Sequence, residues 1–448
     1  MALGYGGFKV GTVAEANAHI KALEKAIGDF TTQLSYEELK ARRVPANRLP
    51  NGEYPLFEQQ RWLNFAVDAV VKILPGTVPP PAPVLQRPVH GVSVFSGWAN
   101  PRPEYGAVAG VQCSFERPWE TLQTNDRNLA LGRYDEADPK ITEQRLEWMA
   151  SGGIDFACYQ IEWSHMHAIP SLAPAWLKPL PSPLLNSHCA DAHGPTSPVK
   201  YCVSWWDVTA VNGDPNYWNM LTNAGWTAAR VEDSISQFAS TVATKYMKQS
   251  NYLHVDGRPV LFRGHAHTLQ FYADRFGITP QRLVTVIKEG VRAAVGQTPY
   301  LIATSTEPAV RPLLKAWGFD AFTDYLLHGS NWTLAMDVYR WYWGQSLQVC
   351  EQTGIEYWVA ATAGYDARAW PGSDPNVFIP TPAQFTAHLK EARGLAMNNY
   401  GRTRGMVITY AWNEIGEGGI MEPMLPGQLH DGDTMLRAHR AATYMEGR

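Results

Sequence analysis

The stretch DPKITEQRLEWMASGGIDFACYQIEW, residues 138–163, shows the helix-then-strand order from which the fold can be inferred. Asp138 followed by Pro139 is a typical helix start, because an Asp side chain caps the first amide groups and proline fits the first helical position. Gly152 stands where this helix should end. Residues 153–163 then lack a 3.6-residue period and are rich in β-branched and aromatic residues, which predicts a buried strand.

The same alternation of helical and strand patterns continues along the chain from residue 89 onward. The strand candidates are 89–98, 153–163, 199–206, 258–265, 300–307, 321–328, 356–366 and 405–414. Helical patterns lie between them, at 138–152, 230–247, 280–296, 307–318, 333–354 and 381–399. Eight strand signals alternating with helices predict the α/β class and a (β/α)8 TIM barrel. The alternative is a doubly wound open sheet, which would fit six or seven strands better.

The N-terminal part of the chain predicts a small helical region. Apolar residues at spacings of three and four predict a first helix whose seam is Val13, Ala16, Ile20, Leu23, Ile27 and Phe30. A second helix is predicted at about 54–74, and residues 75–88 hold six prolines in fourteen positions, which predicts a stiff linker. The predicted organisation is therefore a helical region at 1–74, a linker at 75–88 and a barrel at 89–448. The two helices would form either a hairpin within a monomer or a homo-oligomer that attaches to a larger particle such as a virion.

Composition and charge exclude several classes of protein and site. The net charge is -4 with no basic block, so a nucleic-acid partner is not expected. No apolar run reaches the roughly 20 residues of a membrane span, so no membrane partner is expected either. Five cysteines without a CxxC pair predict neither a disulfide framework nor a structural zinc. The N-terminus carries no signal-peptide pattern, which predicts cytoplasmic synthesis and, for a virion protein, release by lysis.

Charged and aromatic residues recur where the predicted strands end, which is the edge of a barrel that carries the chemistry. A carboxylate-lined pocket with aromatic walls accounts for this pattern, although each tryptophan could equally be wall packing. A histidine-containing loop after the second strand matches no standard zinc spacing, so no metal site is predicted. The residues predicted to bind substrate are Trp98, Tyr159, Glu162, Trp206, Asp207, His265, Glu307, Asp366, Arg368, Trp412 and Asn413.

The last predicted strand runs into the motif AWNEIGEGGIMEP, residues 411–423. Glu414 ends an apolar strand, and Glu417 follows three residues later in a glycine-rich turn. Cleavage of a glycosidic bond needs two carboxyl groups with separated pKa values, one to donate a proton and one to act as base or nucleophile. A buried Glu414 and a more exposed Glu417 would give that separation, so both are predicted to be catalytic. The alternative is that these glutamates belong only to a surface turn.

This motif resembles the signature of the WbsX-like family, whose barrel is related to glycoside hydrolase family 99, the endo-α-mannosidases. Four further segments resemble family blocks in the same order along the chain, so the resemblance spans about 89–430. These segments are 132–163, 245–262, 317–325 and 364–370. Two positions depart from the pattern. Ile415 replaces a usual aromatic residue, and Gly416 replaces the histidine of family 99, so a preference for mannose is not implied.

The resemblance implies a retaining glycoside hydrolase that needs no metal or other cofactor and acts on a polysaccharide of capsular, O-antigen or exopolysaccharide type. Glu414 would be the base on the sugar 2-hydroxyl, through a 1,2-anhydro sugar intermediate, and Glu417 would be the general acid/base. A phage virion depolymerase is one form that such an enzyme could take. The alternatives are a cytoplasmic enzyme of polysaccharide synthesis, including a glycosyltransferase, and a non-catalytic carbohydrate-binding virion protein.

Overall fold

The computed structural model describes residues 87–98, 119, 122–173, 182–206, 219, 221–305, 307–370 and 376–443. The helical region predicted at 1–74 and the linker up to residue 86 lie outside the described residues, as does the predicted site residue Asp207.

Eight parallel strands form the barrel. They are β1 Val89–Val94, β2 Phe156–Trp163, β3 Lys200–Trp206, β4 Arg258–Arg263, β5 Tyr300–Thr304, β6 Ala321–Thr323, β7 in two segments, Glu356–Tyr357 and Val359–Thr362, and β8 Met406–Tyr410. The first segment of β7 pairs with β6, the second pairs with β8, and β8 pairs with β1. Because both segments belong to one strand, the ring of strands is complete, and the predicted (β/α)8 barrel is confirmed.

Helices follow the strands around the outside of the barrel. They are α1 Pro139–Gly152, α2 His165–Ala168, α3 His188–Ala192, α4 Ala228–Val242, α5 Leu269–Phe276, α6 Pro280–Val295, α7 Leu314–Trp317, α8 Trp332–Thr353, α9 Pro382–Asn398, α10 Tyr400–Thr403 and α11 Thr434–Thr443. Short strands outside the ring are Leu184–Leu185, His254–Val255, Tyr365–Asp366, Val377–Phe378, Asn413–Glu414 and Gly419–Ile420. Among the described residues, no helix combines the length and the apolar character needed to cross a membrane.

Local signals set most of the helix boundaries. The Asp138 side chain accepts a hydrogen bond from the backbone amide of Lys140, as expected of a cap, and Pro139 opens α1. The helix ends at Gly152, as predicted, and Gly153 caps it in the left-handed conformation at φ 79°. Gly318 ends α7 in the same way, at φ 103°.

Most predicted strands and one predicted helix are shorter than their sequence patterns, and two of these elements show the physical reason. The strand predicted at 321–328 ends at Thr323, where the next side chain, Asp324, turns to a buried ion pair with Arg311. The helix predicted at 307–318 consists of a 3-10 turn, Arg311–Leu313, and the short α7. Apolar length alone therefore overestimates both elements, because tertiary contacts decide where each one stops.

Two apolar clusters support the molecule. The large one fills the barrel and the space between strands and helices. The smaller one fixes the loops near the end of the last strand and consists of Trp98, Trp119, Leu129, Tyr134, Ile415, Ile420 and Met424. Because Ile415 and Ile420 flank Glu417, this second cluster anchors the chain on both sides of one predicted catalytic residue.

Candidate active site

A small hairpin after β8 carries both predicted catalytic glutamates. Asn413–Glu414 pairs antiparallel with Gly419–Ile420, and a 3-10 turn at Ile415–Glu417 connects them. Gly418 closes the turn at φ 72°, and a Cβ there would lie 2.9 Å from the backbone nitrogen of Asp366. The hairpin therefore holds the two glutamates beyond the carboxyl end of the barrel strand, as predicted.

Each of the two carboxylates accepts a hydrogen bond from its own tyrosine. The hydroxyl of Tyr325, just beyond β6, donates to Glu414 Oε1, and the hydroxyl of Tyr410, at the end of β8, donates to Glu417 Oε2. Gln160 Nε2 of β2 donates to the Tyr325 hydroxyl at 2.8 Å, which leaves the phenolic proton for Glu414. The tyrosine rings meet edge to face, with centroids 4.8 Å apart. Side chains from three strand ends thus orient the pair.

Burial raises the pKa of both glutamates. The pKa of Glu414 rises well above its usual value because its side chain is buried, and the nearby charge of Glu417 raises it further. The hydrogen bonds from Tyr325 and Tyr410 oppose these shifts, because they stabilise the charged forms. Both pKa values thus move upward, while the exposures differ as predicted, since Glu414 is buried and Glu417 is half-buried.

A cavity of about 490 Å³ opens beside this pair, and Glu417 and Tyr325 form part of its wall. Its volume falls within the range of about 300–1,000 Å³ that is usual for ligand sites. Burial lowers the pKa of His265 in its wall to about 4, so this imidazole is neutral at pH 7. The lining residues are His265, Glu307, Pro308, Tyr325, Leu326, Leu327, His328, Val338, Tyr342, Tyr365 and Glu417.

Two of the predicted substrate-binding residues line this cavity, and a third packs against its wall. His265 and Glu307 line it, and Trp206 meets the rings of His265 and Tyr325 at centroid distances of 4.6 and 4.7 Å. A Cβ at Gly264 would lie 2.5 Å from the Trp206 ring, so glycine is needed there for the indole to pack across the strand end.

Four other predicted residues are buried beneath the site. Trp98 and Trp412 are fully buried, and Trp98 Nε1 donates to the backbone oxygen of Asn413 at 2.9 Å. The Asn413 side chain in turn bonds both backbone polar atoms of Phe95. The Tyr159 hydroxyl bonds a ring nitrogen of His193 at 2.9 Å. These contacts brace the loops that support the glutamates.

Asp366 and Arg368 belong to an ionic cluster behind the glycine turn. Arg127 donates to the backbone oxygens of Ile415 and Gly416 at 2.7 and 2.8 Å, and it pairs with Asp366 at 3.1 Å. Arg368 also pairs with Asp366, at 2.7 Å. Burial alone would raise the pKa of Asp366, but the hydrogen bonds from Arg368 and the charge of Arg127 lower it below its usual value.

The departure at Gly416 has a physical reason in this chain. A Cβ at Gly416 would lie 2.0 Å from the ring of Trp370, so any side chain there would collide with this indole. Another residue predicted to bind substrate, Glu162, is half-buried near the end of β2. Its backbone lies opposite that of Leu185 in an antiparallel strand pair.

The third glutamate of the motif, Glu422, is buried in a separate network. Arg145 of α1 lies between two carboxylates, 2.8 Å from Glu136 and 3.3 Å from Glu422. The Tyr134 hydroxyl donates to Glu422 at 2.9 Å. Because all these groups are paired with one another, this network fixes the segment after the hairpin to α1.

Sequence reasoning missed Tyr325, Tyr410, Gln160 and Arg127. One of them carried a usable signal, because Tyr325 ends the block 317–325. Tyr410 lay inside the predicted strand 405–414 and ends that strand only in the structure. Gln160 and Arg127 carried none, since nothing in their local sequence indicates what they contact. In the part of the chain that the structure describes, no group of three or more His, Cys, Asp or Glu side chains is arranged to hold a metal ion.

Comparisons with known proteins agree with this architecture. A family model described as glycosyltransferase WbsX matches residues 198–430. A solved structure named glycoside hydrolase-like protein is 16% identical, covers 82% of this chain and 97% of its own, and has a TM-score of 0.55. The GH99 endo-alpha-mannosidase of Bacteroides thetaiotaomicron is 14% identical, with coverage of 80% and 96% and a TM-score of 0.50. At these identities the likeness shows the fold. A search of curated proteins found no match.

Proposed function

This chain belongs to the family described as glycosyltransferase WbsX, and on that premise we propose that it is a glycoside hydrolase that cleaves a polysaccharide with retention of configuration. The polysaccharide is of capsular, O-antigen or exopolysaccharide type. One observation carries the proposal. Beyond the strand ends of a barrel, the buried Glu414 and the half-buried Glu417 are each hydrogen-bonded to their own tyrosine, and Glu417 lines a cavity.

The proposed mechanism assigns one proton transfer to each glutamate. Glu417, which lines the cavity, donates a proton to the glycosidic oxygen as the bond to the anomeric carbon breaks. Glu414 accepts the proton of the sugar 2-hydroxyl, whose oxygen forms the new bond to that carbon and gives a 1,2-anhydro sugar. A water molecule then opens this ring, giving a proton to Glu417, while Glu414 returns a proton to the 2-oxygen.

The positions of the two side chains support these roles. Glu417 lines the cavity, and the hydrogen bond from the Tyr325 hydroxyl favours the charged form of Glu414 that a base needs.

The test is release of reducing ends from a panel of polysaccharides that includes yeast α-mannan, dextran and purified bacterial capsules and O-antigens. We expect the wild type to cleave at least one polymer, and Glu414→Gln and Glu417→Gln each to lower kcat by about 10²–10⁴-fold. The matched control is Glu289→Gln, an exposed glutamate on α6. Circular dichroism of each variant checks that the fold is retained.

The outcomes separate the proposals. Activity that survives both substitutions would place the reaction elsewhere. No release from any polymer, combined with transfer from a sugar nucleotide, would establish the transferase that the family description names. Binding without either reaction would indicate a carbohydrate-binding protein.

A further inference from the structure

Large apolar side chains are exposed on one flank of α8 and on the turn beside it. Trp341 is 54% exposed and Leu334 is 48% exposed, both on α8, and Leu313 is 48% exposed on the turn before α7. Leu425 is the remaining large apolar residue with comparable exposure among those the structure describes. Exposing a tryptophan to water is unfavourable in free energy. Large apolar side chains that are exposed together therefore point to a binding surface.

Helix geometry places these residues on one side of α8. Leu334, Val338, Trp341 and Tyr342 stand at positions i, i+4, i+7 and i+8, which form a stripe about 12 Å long. The opposite flank of α8 carries an ion pair instead of exposed apolar side chains, because Arg340 lies 2.7 Å from Glu391 of α9. The buried face between the two flanks includes Tyr339 and Trp343.

The stripe is continuous with the cavity. Val338 and Tyr342 line the cavity that holds Glu417, and the ring of Trp341 meets the ring of Tyr342 with centroids 4.8 Å apart. The turn that carries Leu313 packs on the same flank, because the Arg311 guanidinium stands 4.5 Å from the Tyr342 centroid. A chain leaving the cavity past Tyr342 would therefore meet Trp341 next.

We propose that this flank of α8, with Trp341 at its centre, is an outer glycan-binding subsite that holds the polysaccharide beyond the cavity. The ligand is a run of sugar rings that stack their C–H faces on the indole, as flat apolar faces do on aromatic side chains. The inference rests on the proposed function. It also implies cleavage within the chain, because a subsite outside the cavity is of use only to a polymer that extends past it.

A glycan fits this surface better than a second protein does. The stripe is narrow, ends at a cavity with glutamates in its wall, and offers ring faces set between polar residues. A protein interface usually buries about 800 Å² on each partner with a continuous apolar centre. Continuity with the cavity argues for one ligand that occupies both.

The test compares long and short substrates for the polymer that the wild type cleaves. We expect Trp341→Ala to raise KM for the polymer about five- to tenfold with little change in kcat. On the shortest oligosaccharide still cleaved, the variant should match the wild type. Trp341→Phe should restore most of the loss because it keeps a ring face. Leu425→Ala is the matched control, as it removes an equally exposed apolar side chain on another segment.

Each alternative outcome is distinct. If no polymer is cleaved by the wild type, the proposed function fails and this inference fails with it. If cleavage occurs but Trp341→Ala matches the wild type on both substrates, the subsite alone is refuted. If Trp341→Ala changes the molecular mass in solution while leaving both KM values unchanged, the flank is a contact between protein parts, which also refutes the subsite.

Discussion

At the scale of single residues, the tyrosines determine how the carboxylates behave. The Tyr325 hydroxyl accepts a hydrogen bond from Gln160 and donates one to Glu414. The direction of this short hydrogen-bond relay is therefore fixed. Burial raises the pKa of Tyr325 well above its usual value, which keeps the phenol protonated over the working pH range. The relay lowers the pKa of Glu414 against the upward effect of burial.

Removing this hydroxyl should move the pH profile in a definite direction. A hydrogen bond to a carboxylate favours the charged form, so Tyr325→Phe raises the pKa of Glu414 further. Activity is lost on acidification when the base becomes protonated, so we expect the acidic limb of kcat/KM to move to higher pH. The measurement is the pH–rate profile on the cleaved polymer, with Tyr400→Phe, on α10 and outside the cavity lining, as control. An acidic limb that moves to lower pH would contradict the assignment.

At the scale of elements, the catalytic hairpin depends on contacts with distant segments. Arg127 holds the turn at Ile415 and Gly416, and Arg145 of α1 joins Glu136 to Glu422. Burial raises the pKa of both Glu136 and Glu422, because the charged carboxylate loses its contact with water. Each charged form therefore depends on nearby hydrogen-bond donors and cations. The position of the hairpin is therefore set by ionic contacts as well as by its own backbone.

We expect Arg145→Met to destabilise the protein strongly. The substitution leaves two buried carboxyl groups without their cation, which typically costs about 3–5 kcal/mol of unfolding free energy. Arg340→Met is the matched control, because Arg340 is 52% exposed in its pair with Glu391 and should cost at most about 1 kcal/mol. Urea unfolding followed by fluorescence measures both. Equal losses for the two variants would show that the buried network contributes no more than a surface pair.

At the scale of the whole molecule, the barrel carries the candidate site, and only the sequence indicates what the N-terminal region does. Its seam of apolar residues at 13–30 is typical of helices that associate, and we propose that it forms a homo-oligomer that attaches the enzyme to a larger particle such as a virion.

Sedimentation of the full chain tests this proposal. We expect a mass that is a multiple of 49.9 kDa, because the seam would bury its apolar side chains between copies. Ile20→Asp puts a charge into the seam and should shift the protein toward the monomer. Lys21→Asp, outside the seam, should leave the mass unchanged. A monomeric wild type would contradict the oligomer and leave the hairpin alternative.

The sequence by itself determined the barrel and the two glutamates. Strand and helix patterns are local, so eight alternations could be counted without knowing any long-range contact, and Glu414 and Glu417 could be located by the motif around them. The partners of these glutamates were decided by the tertiary structure alone. Tyr325 and Gln160 come from strands far apart in the chain and reach Glu414 only because the barrel closes. Likewise, burial of Trp98, Trp412 and Asn413 depends on how loops pack after the ring has formed, which no local pattern encodes.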